Sequence, residues 1–309
     1  MRLIFMGNPQ FAVPTLEKLL SSKHEVAAVV TSPDRPQGRG KKLASPAVAE
    51  FSRQKGLKLI QQENLSDEGF LAKISALAVA IFIVVAFRIL PPELFAIPEL
   101  GAVNLHASLL PKYRGAAPIQ WALINGESKT GLTTFSIQKR VDTGGILLQE
   151  EVDIGPSETA DDLSARMSHL GANLILRTLD LIENGDFKPI PQDNSQASKA
   201  PKIKPTDGQI DWSVPAERIV NLIRGLSSNP GAYTFFDGKK LKLYRARVTN
   251  ADDSARPGEV ITVDGKVGIV VKAGKDAVQI DEIQMEGKKR LPCCDYVRGC
   301  PIREGQTLA

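Results

Sequence analysis

The longest apolar run in the chain, around Val79 to Phe87, sets the first constraint on its fold. It is far short of the roughly 20 apolar residues that cross a bilayer, and it suits a fully buried central strand. The N-terminal stretch supplies the neighbours of such a strand. Arg2 to Met6 reads as a strand, Gly7-Asn8-Pro9-Gln10 as a turn, Phe11 to Leu20 as a helix and Glu25 to Thr31 as a second strand. Strand, helix, strand in this order implies a parallel sheet with helices on its faces. The expected fold class is α/β, with a doubly wound, mostly parallel sheet. Gly7 stands alone where a dinucleotide site wants three glycines, so neither NAD nor FAD is expected, and no Gly-Lys-Ser/Thr phosphate loop is present.

Further along, Pro46 to Gln54 and Asp67 to Ala76 read as helices and Lys58 to Ile60 as a short strand. Ala117 to Ile124 reads as a helix, and Gly131 to Gln138 and Ile146 to Val152 as strands. Thr159 to Asn184 is a long helix with Leu163, Met167, Leu170, Leu174 and Ile175 on one face. Ser32 to Leu43 is rich in proline, glycine and positive charge and reads as a mobile exposed loop, kept out of sheet and helix by Pro36, Gly38 and Gly40. Residues 189–206, rich in Pro, Gln, Ser and Lys and without periodicity, read as a linker. The division expected is a catalytic domain over 1–188 and a second domain over 207–309. In the latter a helix near Ala216 to Leu226 precedes short apolar runs separated by Gly and Asp turns, a pattern that suggests a small antiparallel barrel. No internal repeat is visible.

Charge is uneven. Residues 199–309 carry 19 Lys/Arg against 14 Asp/Glu, whereas residues 1–198 carry 20 against 21. A mildly basic C-terminal part is compatible with a polyanionic partner and equally with a solvated basic face. Arg2-Leu3-Ile4-Phe5-Met6 is too short for a signal-peptide core, and Cys293, Cys294 and Cys300 form no disulfide framework or zinc set. Reduced thiols and a cytoplasmic location are the expectation, with no membrane contact and no metal.

Chemistry concentrates in Gly101-Ala102-Val103-Asn104-Leu105-His106-Ala107-Ser108-Leu109-Leu110-Pro111-Lys112-Tyr113-Arg114-Gly115. Its first half reads as a short strand on which Asn104 and His106 share a face. Downstream, Val141-Asp142-Thr143-Gly144-Gly145 offers a carboxylate in a turn. Asn, His and Asp together can stabilise an oxyanion and move a proton. A strand-end histidine can instead be a structural hydrogen-bonding group, and an Asp before Thr-Gly-Gly a plain turn former. The spacing leaves both readings open. Only three histidines are present; His24 is expected at the surface and His169 on the long helix.

The Asn-x-His-x-Ser-Leu-Leu-Pro-x-x-Arg-Gly run and the later Asp-Thr-Gly resemble the formyltransferase family that uses 10-formyltetrahydrofolate, and the resemblance runs nearly end to end. Within that family it is strongest to the branch acting on methionyl-initiator tRNA in translation initiation. The resemblance implies a Rossmann-like formyltransferase core and a C-terminal barrel of the oligonucleotide-binding type. It implies Asn104, His106 and Asp142 as catalytic residues; a monomer is expected. It places the folate against Ser108, Leu109, Leu110, Pro111 and Val141, and against Phe87, Arg88, Ile89 and Leu90. Phe87-Arg88 departs from the Tyr-Gly frequent in the tRNA-acting branch and looks more like the purine-pathway branch. It further implies that Arg35, Arg39, Lys41 and Lys42 grip the acceptor end of the tRNA. An amino-sugar nucleotide is the alternative acceptor, for which so long a basic loop has little use.

Overall fold

A computed structural model describes residues 1–37, 42–185, 188–251, 254–299 and 301–309. They form two compact units. One comprises Met1–Gly115, Thr130–Val152 and Ser164–Lys199; the other comprises Ala116–Lys129, Asp153–Leu163 and Ala200–Ala309.

In chain order the elements are β1 (Arg2–Gly7), α1 (Val13–Leu20), β2 (Glu25–Thr31), β3 (Arg35–Gln37), β4 (Lys42–Ala44), α2 (Ala47–Gln54), β5 (Leu59–Gln61), α3 (Glu68–Ser75), β6 (Ile81–Val85), α4 (Pro92–Phe95) and β7 (Ala102–His106). There follow α5 (Pro118–Ile124), β8 (Lys129–Ser136), β9 (Ile146–Asp153) and α6 (Ala160–Glu183). Seven strands make the sheet of the first unit, ordered β9-β8-β7-β6-β1-β2-β5. The strands from β7 to β5 are parallel, and β8 joins β7 antiparallel with Asn104 opposite Phe135 and His106 opposite Thr133. Phe82 and Val84 face one way with Ile4 and Met6, and pack with Phe70, Ile74 and Leu94 of α3 and α4. Each such side chain, taken from water to full burial, contributes about 1.5–3 kcal/mol. Successive residues alternate faces, so Leu105 points the other way, onto Gly171 of α6, where an added Cβ would lie 2.5 Å from Leu105 Cδ2.

Two local expectations change. Part of the stretch from Ser32 to Leu43 is a paired ribbon: Arg35 faces Ala44 and Pro36 faces Leu43 across β3 and β4. Proline is tolerated because both strands of a two-stranded ribbon are edges. Its base is tied down, with Asp34 accepting from Gln61 (2.8 Å) and Arg53 (3.0 Å). The Gln61 bond holds the Asp34 carboxyl below the usual carboxylate range. His24, expected at the surface, is buried at 6% exposure, with its Nδ1 3.1 Å from the Met1 nitrogen.

The second unit holds α7 (Ala216–Leu226), β10 (Ala232–Phe236), β11 (Lys239–Thr249), β12 (Val260–Asp264), β13 (Gly268–Lys272), β14 (Ala277–Met285), β15 (Leu291–Pro292) and α8 (Cys293–Val297). Its antiparallel sheet runs β10-β11-β14-β13-β12, with β15 on β14. The two ends of this order are joined by the C-terminal segment. Val260 donates its N–H to Gln306 O (2.8 Å) and Leu308 to Gly258 O (2.8 Å), while Ala309 and Phe235 exchange backbone bonds at 3.0 and 2.7 Å. The ring so closed is a small barrel with no free edge between β12 and β10. Ile219 and Ile223 of α7 enter the same apolar core as Leu241, Leu243, Ile280 and Leu308. Among the described residues no helix is long and apolar enough to cross a membrane.

Candidate active site

Asn104 and His106 lie on β7 two residues apart, so both project from the same face of the sheet. His106 is buried, and its Nε2 lies 2.9 Å from the carbonyl oxygen of Tyr113. A carbonyl can only accept, so Nε2 carries the proton and a neutral ring presents its lone pair at Nδ1. Nδ1 faces Asp142 Oδ2 at 3.9 Å. The Asn104 side chain is partly exposed and has no hydrogen-bond partner among the described residues, which leaves its amide available to a ligand.

Asp142 reaches this position by a detour. β8 runs against β7 and ends with Ser136 opposite Val103. Three residues of strand, about 10 Å, separate that point from His106. The segment after Ser136 must therefore fold back across the face that carries Asn104 and His106. Two features allow it. Asp142 adopts φ +52°, a left-handed conformation that Asp tolerates better than most residues. Gly144 passes so close to Ser136 O that an added Cβ would lie 1.6 Å from it. The Asp142 carboxylate is then fixed by the Gly115 N–H, 2.8 Å from Oδ2.

The segment Ser108 to Pro111 is clamped from β8 and β9. Thr133 Oγ1 donates to Ser108 O (2.6 Å) and accepts from the Leu110 N–H (3.1 Å) and Gln149 Nε2 (2.9 Å). Gln149 also donates to Leu110 O (2.9 Å), and Ser108 Oγ to Lys112 O (2.6 Å). Leu109 covers Gly131, where any Cβ would meet it at 2.4 Å. The Ser108 and Leu110 side chains are buried, so this run has chiefly backbone to offer a ligand.

Beyond β6, Phe87 is partly buried, Ile89 is 73% exposed and Leu90 is buried. The Arg88 guanidinium turns to the carbonyls of Gln62 and Glu63 and stacks 5.2 Å from the Phe87 ring centroid. Burial lowers the Arg88 pKa below the ordinary arginine value, with Glu63 opposing. Arg88 therefore braces the end of β6 against the chain after β5. Val141, on the fold-back segment, is 48% exposed. At the ribbon, Arg35 pairs with Glu63 (2.6 Å) on the surface, and Arg39, Lys41 and the Lys42 side chain lie outside the described residues. His169 is exposed on α6. Among the described residues no group of three or more His, Cys, Asp or Glu side chains could hold a metal ion.

Thr133, Gln149 and Tyr113 escaped the sequence reading. Thr133 had one usable signal: it lies on the expected strand Gly131 to Gln138, which leads into the Asp142 turn.

Residues 1–179 match the family described as Formyl transferase, and residues 202–301 match Formyl transferase, C-terminal domain. Fold, site and match define a formyltransferase. The methionyl-tRNA formyltransferase of Geobacter metallireducens is 45% identical over 99% of this chain and 98% of its own length, and that of Moorella thermoacetica is 45% identical over 100% and 99%. The chain belongs to the methionyl-tRNA formyltransferase family. Solved structures share the fold at lower identity. The methionyl-tRNA formyltransferase from Clostridium thermocellum superposes with TM-score 0.59 at 19% identity, covering 91% of this chain and 98% of that one. The N-formyltransferase from Helicobacter canadensis, in complex with folinic acid and dTDP-3-aminofucose, gives TM-score 0.69 at 22% identity, covering 90% and 98%.

Proposed function

We propose that the protein transfers the formyl group of 10-formyltetrahydrofolate to the α-amino group of methionyl-initiator tRNA, and that Asn104, His106 and Asp142 carry out the transfer. The observation that carries the reading is the meeting of His106 Nδ1 with Asp142 beside an unpartnered Asn104 amide, in a chain 45% identical to methionyl-tRNA formyltransferases along its length.

The neutral amine attacks the formyl carbon and forms a C–N bond. The formyl oxygen becomes an oxyanion, to which the Asn104 amide donates; one such donor is worth about 10²–10³ in rate elsewhere. Nδ1 of His106 takes the amine proton, and the nearby Asp142 carboxylate stabilises the charge that the ring acquires. The same proton then passes to the folate nitrogen as its bond to the formyl carbon breaks. Folate would lie against the Ser108 to Pro111 backbone, the Phe87 to Leu90 segment and Val141. Arg35, Arg39, Lys41 and Lys42, and the basic stretch 199–309, would take the phosphates of the tRNA. This chemistry belongs in the cytoplasm.

The test offers purified protein and 10-formyltetrahydrofolate three acceptors: methionyl-initiator tRNA, an amino-sugar nucleotide and glycinamide ribonucleotide. Formylation of the methionyl-tRNA alone is expected, and Arg39→Ala should lower kcat/KM for it while folate affinity stays unchanged. Turnover confined to either other acceptor would overturn the reading.

A further inference from the structure

The aperiodic stretch after Pro189 is fastened to the loops of the site. Ile190 exchanges both backbone hydrogen bonds with Ile146 at 2.8 Å. Further on, Ser198 accepts the Tyr113 N–H on its hydroxyl (2.9 Å) and the Arg114 N–H on its carbonyl (2.9 Å). Between these two anchors sits Gln192, half-buried, with four hydrogen bonds. Its Oε1 accepts from Arg114 Nε (3.0 Å) and Nη2 (2.6 Å). Its Nε2 donates to Asp142 O (3.0 Å) and Gly144 O (2.8 Å). A guanidinium only donates and a carbonyl only accepts, so these partners permit one orientation of the amide.

The two regions that Gln192 joins are those that aim the Asp142 carboxylate. On one side is the fold-back turn, where Asp142 holds φ +52° and is followed within two residues by Gly144. Such a turn needs holding from outside, because a left-handed non-glycine residue is not self-supporting. On the other side is Arg114, whose neighbour Gly115 donates its N–H to Asp142 Oδ2 at 2.8 Å. Asn194 adds a second acceptor for Arg114 Nη2 at 2.8 Å. We infer that Gln192 is a positioning residue: by clamping the Asp142–Gly144 turn to Arg114, it sets the Asp142 carboxylate against His106. This rests on the reading of Asn104, His106 and Asp142 as the reaction centre. Gln192 itself has no role in contacting substrate.

Gln192→Glu and Gln192→Ala test the clamp. The glutamate is nearly isosteric and keeps an acceptor for Arg114, but turns a carboxylate oxygen toward the Asp142 and Gly144 carbonyls. Single-turnover formyl transfer should fall about 10- to 100-fold in both, as expected for a misplacement near 1 Å. KM for both substrates should stay within about threefold, and circular dichroism should be native. In an Asp142→Asn background the same changes should have little further effect, since residues acting through one another are not additive. A second readout needs no turnover: the imidazole nitrogen resonances of His106, one of three histidines in the chain, should move in Gln192→Ala as they move in Asp142→Asn. Wild-type transfer rate with either variant, an equal loss in the Asp142→Asn background, or unmoved His106 resonances would overturn the inference. If the wild-type protein transferred no formyl group, the functional reading would fall, while the His106 resonances would still decide whether the clamp acts on this pair.

Discussion

At Thr133 one buried hydroxyl serves three groups, and its removal shows how the site is held. Thr133→Val keeps shape but leaves the Leu110 N–H and the Gln149 amide short of an acceptor. Stability should fall by about 1–3 kcal/mol, the cost of unsatisfied buried polar groups. Denaturant unfolding measures the loss, and KM for the folate should rise as the Ser108 to Pro111 segment loosens. His24 makes a separate prediction. Burial first, then the charge of the Met1 ammonium, lowers its pKa. The unfolded chain, with an ordinary value of about 6.5, therefore binds a proton more readily than the folded one. Stability from this group is full above that pH and declines as the pH falls through and below it. Urea midpoints recorded from pH 7 to 5 should drop less steeply in His24→Gln than in the parent.

Among the elements, the barrel depends on its closure. Leu308 is 2% exposed, and its backbone, with those of its neighbours, joins β12 to β10. Leu308→Ala should cost about 2–5 kcal/mol and lower the melting transition by on the order of 10 °C, read by differential scanning calorimetry. The main sheet was legible because burial writes itself into local pattern: Glu25 to Thr31 forms β2 with the expected bounds, and the run near Val79 supplies β6. The candidate trio came from the family resemblance carried by the Asn-x-His run and the Asp-Thr-Gly motif, and the structure brings His106 and Asp142 of that trio within 3.9 Å. What holds the trio was not legible. Gln192 meets Asp142 across 50 residues of chain and Thr133 meets Ser108 across 25. Such polar contacts carry no periodicity, so residues 189–206 looked like a plain linker. The ribbon was obscured for a related reason, since Pro36 reads as a breaker until its partner strand is known.

Over the whole molecule, positive charge gathers in the later residues, 199–309. Lys239, Lys288 and Lys289 are exposed at one end of the barrel, where the β10–β11 turn lies beside the segment after β14. Replacing all three with alanine should weaken tRNA binding. It should flatten the dependence of log affinity on log salt by about one unit for each phosphate that no longer meets a lysine. Filter binding across a salt series would detect this, and an unchanged slope would remove these lysines from the interface. The proposed formyl transfer turns on His106, whose ring is held by Tyr113 and faced by Asp142. Its direct test is the single-turnover rate of formyl transfer to methionyl-initiator tRNA by His106→Ala, with native circular dichroism and saturating folate. The rate should collapse by several orders of magnitude while tRNA affinity is retained; a near-normal rate would contradict the proposed reaction centre.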